Sequence, residues 1–254
     1  MKKILLTSII IIIMLTIISC AAKNKKSKYE GYTDQQLYDN AIELINKKKW
    51  DKARDLLKYL LDNFYQSKLI MDAKLALADS YYKQEGIENY IVAVQQYEEF
   101  IKLYPSSVKA DYAQFQIGIC YFNQIGKPGR DQTNTYNAID AFKKLIENSP
   151  RSSFIQEAKD YLIKSYINLN NHQLAIIKFY LKYKKWDVAI NRFEEILANS
   201  PKESITAETY YYYIKALQKI GRQEDSKIYS MLLLEKFPKS KYAIEVKGKM
   251  DKSQ

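Results

Sequence analysis

Residues 186–201 read WDVAINRFEEILANSP. The small residue Ala189 is followed four positions on by Phe193 and three further on by Ile196, steps that set all three side chains on one helix face. Pro201 then forbids the helix to continue and drives Ser200 out of helical geometry. The same sixteen-residue frame recurs without a gap as WDKARDLLKYLLDNFY (50–65), YIVAVQQYEEFIKLYP (90–105), TYNAIDAFKKLIENSP (135–150) and QEDSKIYSMLLLEKFP (223–238). Ala53, Ala93, Ala138, Ala189 and Ser226 hold the small position. Leu57, Tyr97, Phe142 and Phe193 hold the large one, with Ser230 the exception, and Leu60, Phe100, Leu145, Ile196 and Leu233 follow. Pro105, Pro150, Pro201 and Pro238 close four of the five copies at the same offset.

A second helical stretch precedes each copy, at 34–48, 69–84, 107–123, 172–183 and 203–220. Successive copies are 40, 45, 51 and 37 residues apart, close to or above the period of a helix–turn–helix repeat. The small–aromatic–proline pattern resembles the second helix of tetratricopeptide repeats, and Ile176, Ile177 and Tyr180 fit the first. The expected fold is all-α: a tetratricopeptide-repeat superhelix of about five helix pairs over residues 33–252. The 51-residue step leaves room for an extra helix at 152–169. Each pair would hide its apolar face only against the next. The 23 tyrosines suit the aromatic positions of such repeats. Tyr210–Tyr213, four in a row, sweep about 300° of helix, so at least one is expected to face outward.

The chain opens MKK, runs apolar from Ile4 to Ile18, and then reads SCAA around Cys20. A basic start followed by an apolar stretch too short to span a bilayer comfortably predicts a signal peptide over residues 1–19. The segment IISCAA is similar to the lipobox of bacterial lipoproteins, with Ile17 where that pattern most often has Leu. The resemblance implies cleavage before Cys20 and acylation of its sulfur, with residues 20–32 as a lipidated Cys and a basic tether carrying Lys23, Lys25, Lys26 and Lys28. The tether reads as solvated chain that is also able to lie on anionic headgroups. Cys120, in the apolar stretch FQIGICYF, reads as a small buried hydrophobe, because a bridge to Cys20 is incompatible with lipidation.

The formal charge of +11 falls to +9 without Lys2 and Lys3, and the lysines are spread along every segment beside glutamates. An exported, anchored chain does not meet nucleic acid, so the charge reads as solubility and attraction to acidic partners or lipids. Chemistry is poorly supplied. One His, His172, and one Cys outside the lipobox exclude a His-based metal cluster. The loop at 122–135 lacks phosphate-loop spacing, and no nucleophile elbow occurs. The protein is read as no enzyme, with no cofactor and no metal. A cell-wall hydrolase is the reading from another class, and it lacks catalytic residues.

Three stretches carry a closer likeness: EEFIKLYPSSVKADYAQFQIG (98–118), GRDQTNTYNAIDAFKKLIENSPRSSF (129–154) and FYLKYKKWDVAINRFEEILANSP (179–201). With the lipobox, they make the chain resemble the BamD (ComL) family of outer-membrane protein assembly lipoproteins over nearly its whole length. Ser149-Pro150 and Ser200-Pro201 depart from the family's Tyr-Pro, and His172 from its usual Glu. The resemblance implies a lipid-anchored adaptor of the β-barrel assembly machinery on the periplasmic face of the outer membrane. C-terminal repeats would bind the periplasmic domains of the barrel-forming assembly protein, and N-terminal repeats would receive unfolded outer-membrane proteins. It places a partner contact at Arg192, with Asn191 beside it. Tyr81 and Tyr82 are nominated as exposed aromatics of a peptide groove. The alternative is another periplasmic tetratricopeptide-repeat lipoprotein, serving cell division or polysaccharide export.

Arg192 is unusual in composition as well. Only five of the 40 basic residues are Arg, and a planar five-donor fork does what Lys does not. Spacing alone puts it about 100° from Phe193, at the edge of the buried face. There it would make either an ion pair within the solenoid or a partner contact; the resemblance favours the partner.

Overall fold

The computed structural model describes residues 28–251; the predicted signal peptide, Cys20 and most of the tether lie outside them. Eleven α-helices follow one another: α1 (Asp34–Asn46), α2 (Trp50–Asn63), α3 (Ile70–Gln84), α4 (Ile87–Leu103), α5 (Val108–Phe122), α6 (Thr133–Asn148), α7 (Ile155–Lys182), α8 (Trp186–Asn199), α9 (Ala207–Lys219), α10 (Gln223–Lys236) and α11 (Lys241–Met250). No strand occurs among the described residues. Each helix packs on its neighbours in the chain, and lighter contacts to the next but one join α1 to α3, α5 to α7, α7 to α9 and α9 to α11, as in a solenoid.

The repeat frame becomes the core. All fifteen residues at its three apolar positions are buried, from Ala53, Leu57 and Leu60 to Ser226, Ser230 and Leu233. The two serines close the last repeat differently. Ser230 Oγ donates to the Ser226 carbonyl at 2.7 Å, and the missing aromatic is supplied one position earlier by Tyr229, whose ring meets Tyr213 at 4.8 Å. In the third repeat the aromatic sits in a notch, because a Cβ on Gly118 would collide with the ring of Phe142.

Helix ends follow local chemistry. Helices α4, α6, α8 and α10 stop two residues before their prolines, and Tyr104, Ser149, Ser200 and Phe237 leave helical geometry. Thr33 forms a capping box with Gln36, and Ser107, Thr206 and Ser240 cap α5, α9 and α11. Three turns inside helix pairs share one backbone form. Lys49 N donates to Leu44 O, Lys185 N to Tyr180 O and Arg222 N to Leu217 O. The preceding residue is left-handed in each: Lys48 (φ 56°), Lys184 (φ 56°) and Gly221 (φ 80°).

The extra helix needs correction. Segments 152–169 and 172–183 are not two helices but one, α7, of 28 residues and about 42 Å. Nothing between Ile155 and Lys182 is Gly or Pro. The polar NLNN segment is accommodated from outside: buried Asn170 donates from Nδ2 to Ser204 Oγ at 3.0 Å and accepts from Ser200 Oγ at 2.9 Å. The helix beyond the five pairs is instead α11, at the C-terminal end. Its signal was the Pro-x-Ser step Pro238–Ser240, the same step that leads from Pro105 to the cap Ser107.

The tyrosine run turns one ring outward. Tyr210, Tyr211 and Tyr213 are buried, and the outward member, Tyr212, is half-buried beneath Lys178, whose Nζ lies 4.8 Å from the ring centroid.

Candidate functional site

Arg192 is positioned by its register on α8. Phe193, its neighbour, is fully buried and fixes the helix, so the Arg192 side chain emerges at the seam with α7. Its Nη1 donates to Gln173 Oε1 at 3.3 Å. Its guanidinium lies 5.5 Å from the ring centroid of Tyr180. It makes no ion pair among the described residues, so the ion-pair alternative raised by spacing is not realised. Asn191 is exposed beside it. The fork opens into a cleft of about 360 Å³ between α6, α7 and α8, whose wall includes Tyr136, Lys143, Gln173, Glu195 and Asn199.

A second, more apolar groove of about 400 Å³ adjoins through Tyr180, with Pro128, His172, Ile176 and Phe179 on its wall. Phe179 and Tyr183 are 58% and 57% exposed, with ring centroids 4.7 Å apart. Large rings left this open mark contact surface more often than chance placement. His172 holds the far wall: its Nδ1 meets the Pro128 carbonyl, which only accepts, so that nitrogen carries the proton. Arg192 thus lines the first cleft while its guanidinium lies over Tyr180, which lines the aromatic groove.

The Arg-Asp-Gln loop has structural work. Gln132, buried, donates to the Arg130 carbonyl at 2.9 Å and accepts from Thr135 Oγ1 at 2.8 Å and Asn168 Nδ2 at 2.9 Å. Asp131 accepts from Thr133 N at the start of α6, which holds its carboxyl below the usual range. Arg130 stays exposed.

At the N-terminal end, Tyr81 and Tyr82 are not exposed as expected. Both are half-buried in the seams between the first cores, because the α3 turn that carries them faces α2 on one side and α4 and α5 on the other. Tyr81 lies under the Arg54 guanidinium, 4.3 Å from its carbon. Tyr82 tilts against Tyr90 at 6.2 Å, and burial raises its hydroxyl pKa. Arg54 itself was missed by sequence reading. It is buried, and its Nη2 bonds Asp51 Oδ1 and Gln84 Oε1, both at 2.7 Å. Asp79 was also missed. Tyr97 and Tyr112 donate their hydroxyls to its Oδ1 at 2.6 and 3.0 Å, tying α3, α4 and α5 together. Burial raises its pKa, against the pull of those two donors.

Among the described residues no group of His, Cys, Asp and Glu is arranged to hold a metal, and no helix is long and apolar enough to cross a membrane. Burial pushes the Cys120 thiol up to about 12, far from a reactive thiolate.

Known proteins are similar to this chain in sequence. "Outer membrane protein assembly factor BamD" of Rickettsia prowazekii is 27% identical over 242 residues, covering 95% of each chain. Its namesake of Caulobacter vibrioides is 25% identical over 237 residues, 92% of this chain and 77% of the relative. That of Buchnera aphidicola is 28% identical over 227 residues, 82% and 91%. All three are named as assembly factors, which agrees with the non-enzymatic reading. Among solved structures, the TPR2AB-domain:pHSP90 complex of yeast Sti1 covers 83% of this chain and 80% of its own at 14% identity, with a TM-score of 0.42. The model of the YfiO family, described as "Outer membrane lipoprotein", matches residues 30–232. Because that span runs from the tether into α10 and contains both the Arg192 cleft and the loop that walls its neighbour, the chain belongs to the YfiO family of outer membrane lipoproteins.

Proposed function

We propose that this protein is an outer-membrane protein assembly factor. It is anchored by acylated Cys20 to the periplasmic face of the outer membrane, where its C-terminal repeats hold the periplasmic domains of the barrel-forming assembly protein. The names of the relatives support the role. One observation carries the contact: Arg192 is half-buried, steadied by Gln173 and Tyr180, and bonded to no acid among the described residues. A guanidinium held in place with donors to spare suits a partner carboxylate, which it grips by two parallel bonds. The adjoining Phe179 groove supplies the apolar surface that surrounds such an anchor in a hot spot.

The N-terminal repeats would receive unfolded outer-membrane proteins. Tyr81 and Tyr82, half-buried, offer such a chain an edge, not a platform. The test is capture with the acylated protein from solubilised envelopes. Recovery of the barrel-forming protein, lost in Arg192→Ala while helical content is kept, is the expected result. Recovery of a different envelope complex in its place would overturn the reading in favour of another periplasmic repeat adaptor.

A further inference from the structure

The first helix pair carries a basic, aromatic cleft that the partner surface does not use. It measures about 400 Å³ and lies between residues 28–32 and the α1–α2 hairpin. Four lysines line it, Lys28, Lys47, Lys49 and Lys52, against a single acid, Glu43, which pairs with Lys47. Lys28 pairs with Asp55 at 3.5 Å, while Lys49 and Lys52 make no ion pair among the described residues. Lys48, exposed and left-handed, stands at the tip of the turn between them. Tyr29 and Tyr32 form the opposite wall, with Tyr32 42% exposed and ring centroids 6.3 Å apart.

Lysines with long apolar stems beside half-exposed tyrosines are the composition of a bilayer interface, where rings sit at headgroup depth and ammonium groups meet phosphate. Position agrees with composition. Lys28 is eight residues after Cys20, and eight residues span at most about 29 Å. Three further lysines, Lys23, Lys25 and Lys26, lie in the sequence between Cys20 and Lys28.

We propose that this cleft docks on the headgroups of anionic phospholipids, laying the first repeat against the membrane. The inference rests on the reading of Cys20 as the acylated anchor. The fourth repeat supplies an internal control. Its turn has the same backbone form at Lys184–Lys185, and each turn is followed by one of the chain's two tryptophans, Trp50 and Trp186.

Full-length acylated protein carrying Trp186→Phe, or separately Trp50→Phe, is reconstituted into vesicles containing headgroup-nitroxide lipid. The vesicles are phosphatidylcholine alone or mixed with phosphatidylglycerol. Trp50 fluorescence is expected to be quenched on the anionic vesicles and spared on the neutral ones, while Trp186 is spared on both. Replacing Lys47, Lys49 and Lys52 together by Gln should weaken docking on the order of a hundredfold, and replacing them by Arg should restore it. Quenching of Trp50 that ignores lipid charge, or survives the triple Gln variant, overturns the proposal. So does inorganic phosphate relieving Trp50 quenching more effectively than sodium chloride of equal ionic strength, since the cleft would then take free phosphate. Mass spectrometry of Cys20 on the same sample separates the two readings: an unacylated Cys20 defeats the anchor alone, and flotation of that chain with neutral and anionic vesicles still decides the surface.

Discussion

Arg54 and Arg192 stand in corresponding helices of the first and fourth repeats, and each lies over a tyrosine ring. Arg54 is enclosed. Its Nη2 donates to Asp51 and Gln84, its buried Nη1 meets no acceptor among the described residues, and its ring partner, Tyr81, belongs to the helix that follows. Arg192 is half-covered, its one hydrogen bond is long, and a cleft opens beyond it. A guanidinium in a lysine-rich chain is therefore no pointer to function by itself. What separates a structural arginine from a binding one here is enclosure: Arg54 is covered by its own fold, whereas Arg192 lines an open cleft that a partner can enter.

The largest effect expected from testing this contrast is on stability. Arg54→Ala removes a desolvated cation–ring contact, two charge-assisted bonds and a buried stem, a loss of about 3 kcal/mol in denaturant unfolding. Arg54→Lys should recover only part of it, because an ammonium does not reach both partners in one plane. Arg192→Ala should cost under about 1 kcal/mol of stability but about 2 kcal/mol of partner affinity, a loss of some thirtyfold in titration calorimetry. If both arginines unfold the chain alike, the contrast fails.

Asp79 extends the comparison to a partly buried acid whose Oδ1 accepts from two tyrosines. With its folded pKa raised by burial, Asp79 binds its proton more readily folded than unfolded. Its ionisation therefore draws on stability as pH rises from the unfolded value through the raised one. Asp79→Asn keeps a carbonyl acceptor for Tyr97 and Tyr112, and is expected to be at least as stable as the parent at neutral pH, with a margin of about 1 kcal/mol. That margin should shrink as pH falls and Asp79 takes its proton, which thermal melts over a pH series would follow. The smallest effect belongs to the turns. Lys184→Gly places the residue already present at Gly221 into the same left-handed geometry, relieving about 1 kcal/mol of strain against a smaller gain in unfolded-chain entropy.

Much of the fold was legible because its signals are local. Ala189, Phe193 and Ile196 mark a face by spacing, and Pro201 stops the helix by its ring, so neither needs a distant partner to be read. Arg192 was legible as a candidate for the same reason, by type and by place in the register. Tyr81 and Tyr82 were misjudged because exposure is not local: α2 and the α4–α5 layer close over them from distant parts of the chain. Arg54 escaped notice since nothing near it in sequence announces Gln84, thirty residues on.

By itself, then, the amino-acid order determined the repeat, its buried positions, its helix stops and the basic lead into it, all consequences of side-chain spacing and backbone restriction. Only the tertiary structure decided that α7 runs unbroken through Asn170, that Asp79 is shared by two tyrosines, that Arg54 is enclosed by the fold and that Arg192 is left with a cleft to fill. Those outcomes depend on which helix covers which face. That choice is settled by packing between segments far apart in the chain, as in the pairs Asp79–Tyr97, 18 residues apart, and Asn170–Ser204, 34 apart, and the free energy of such contacts has no expression in any one segment alone.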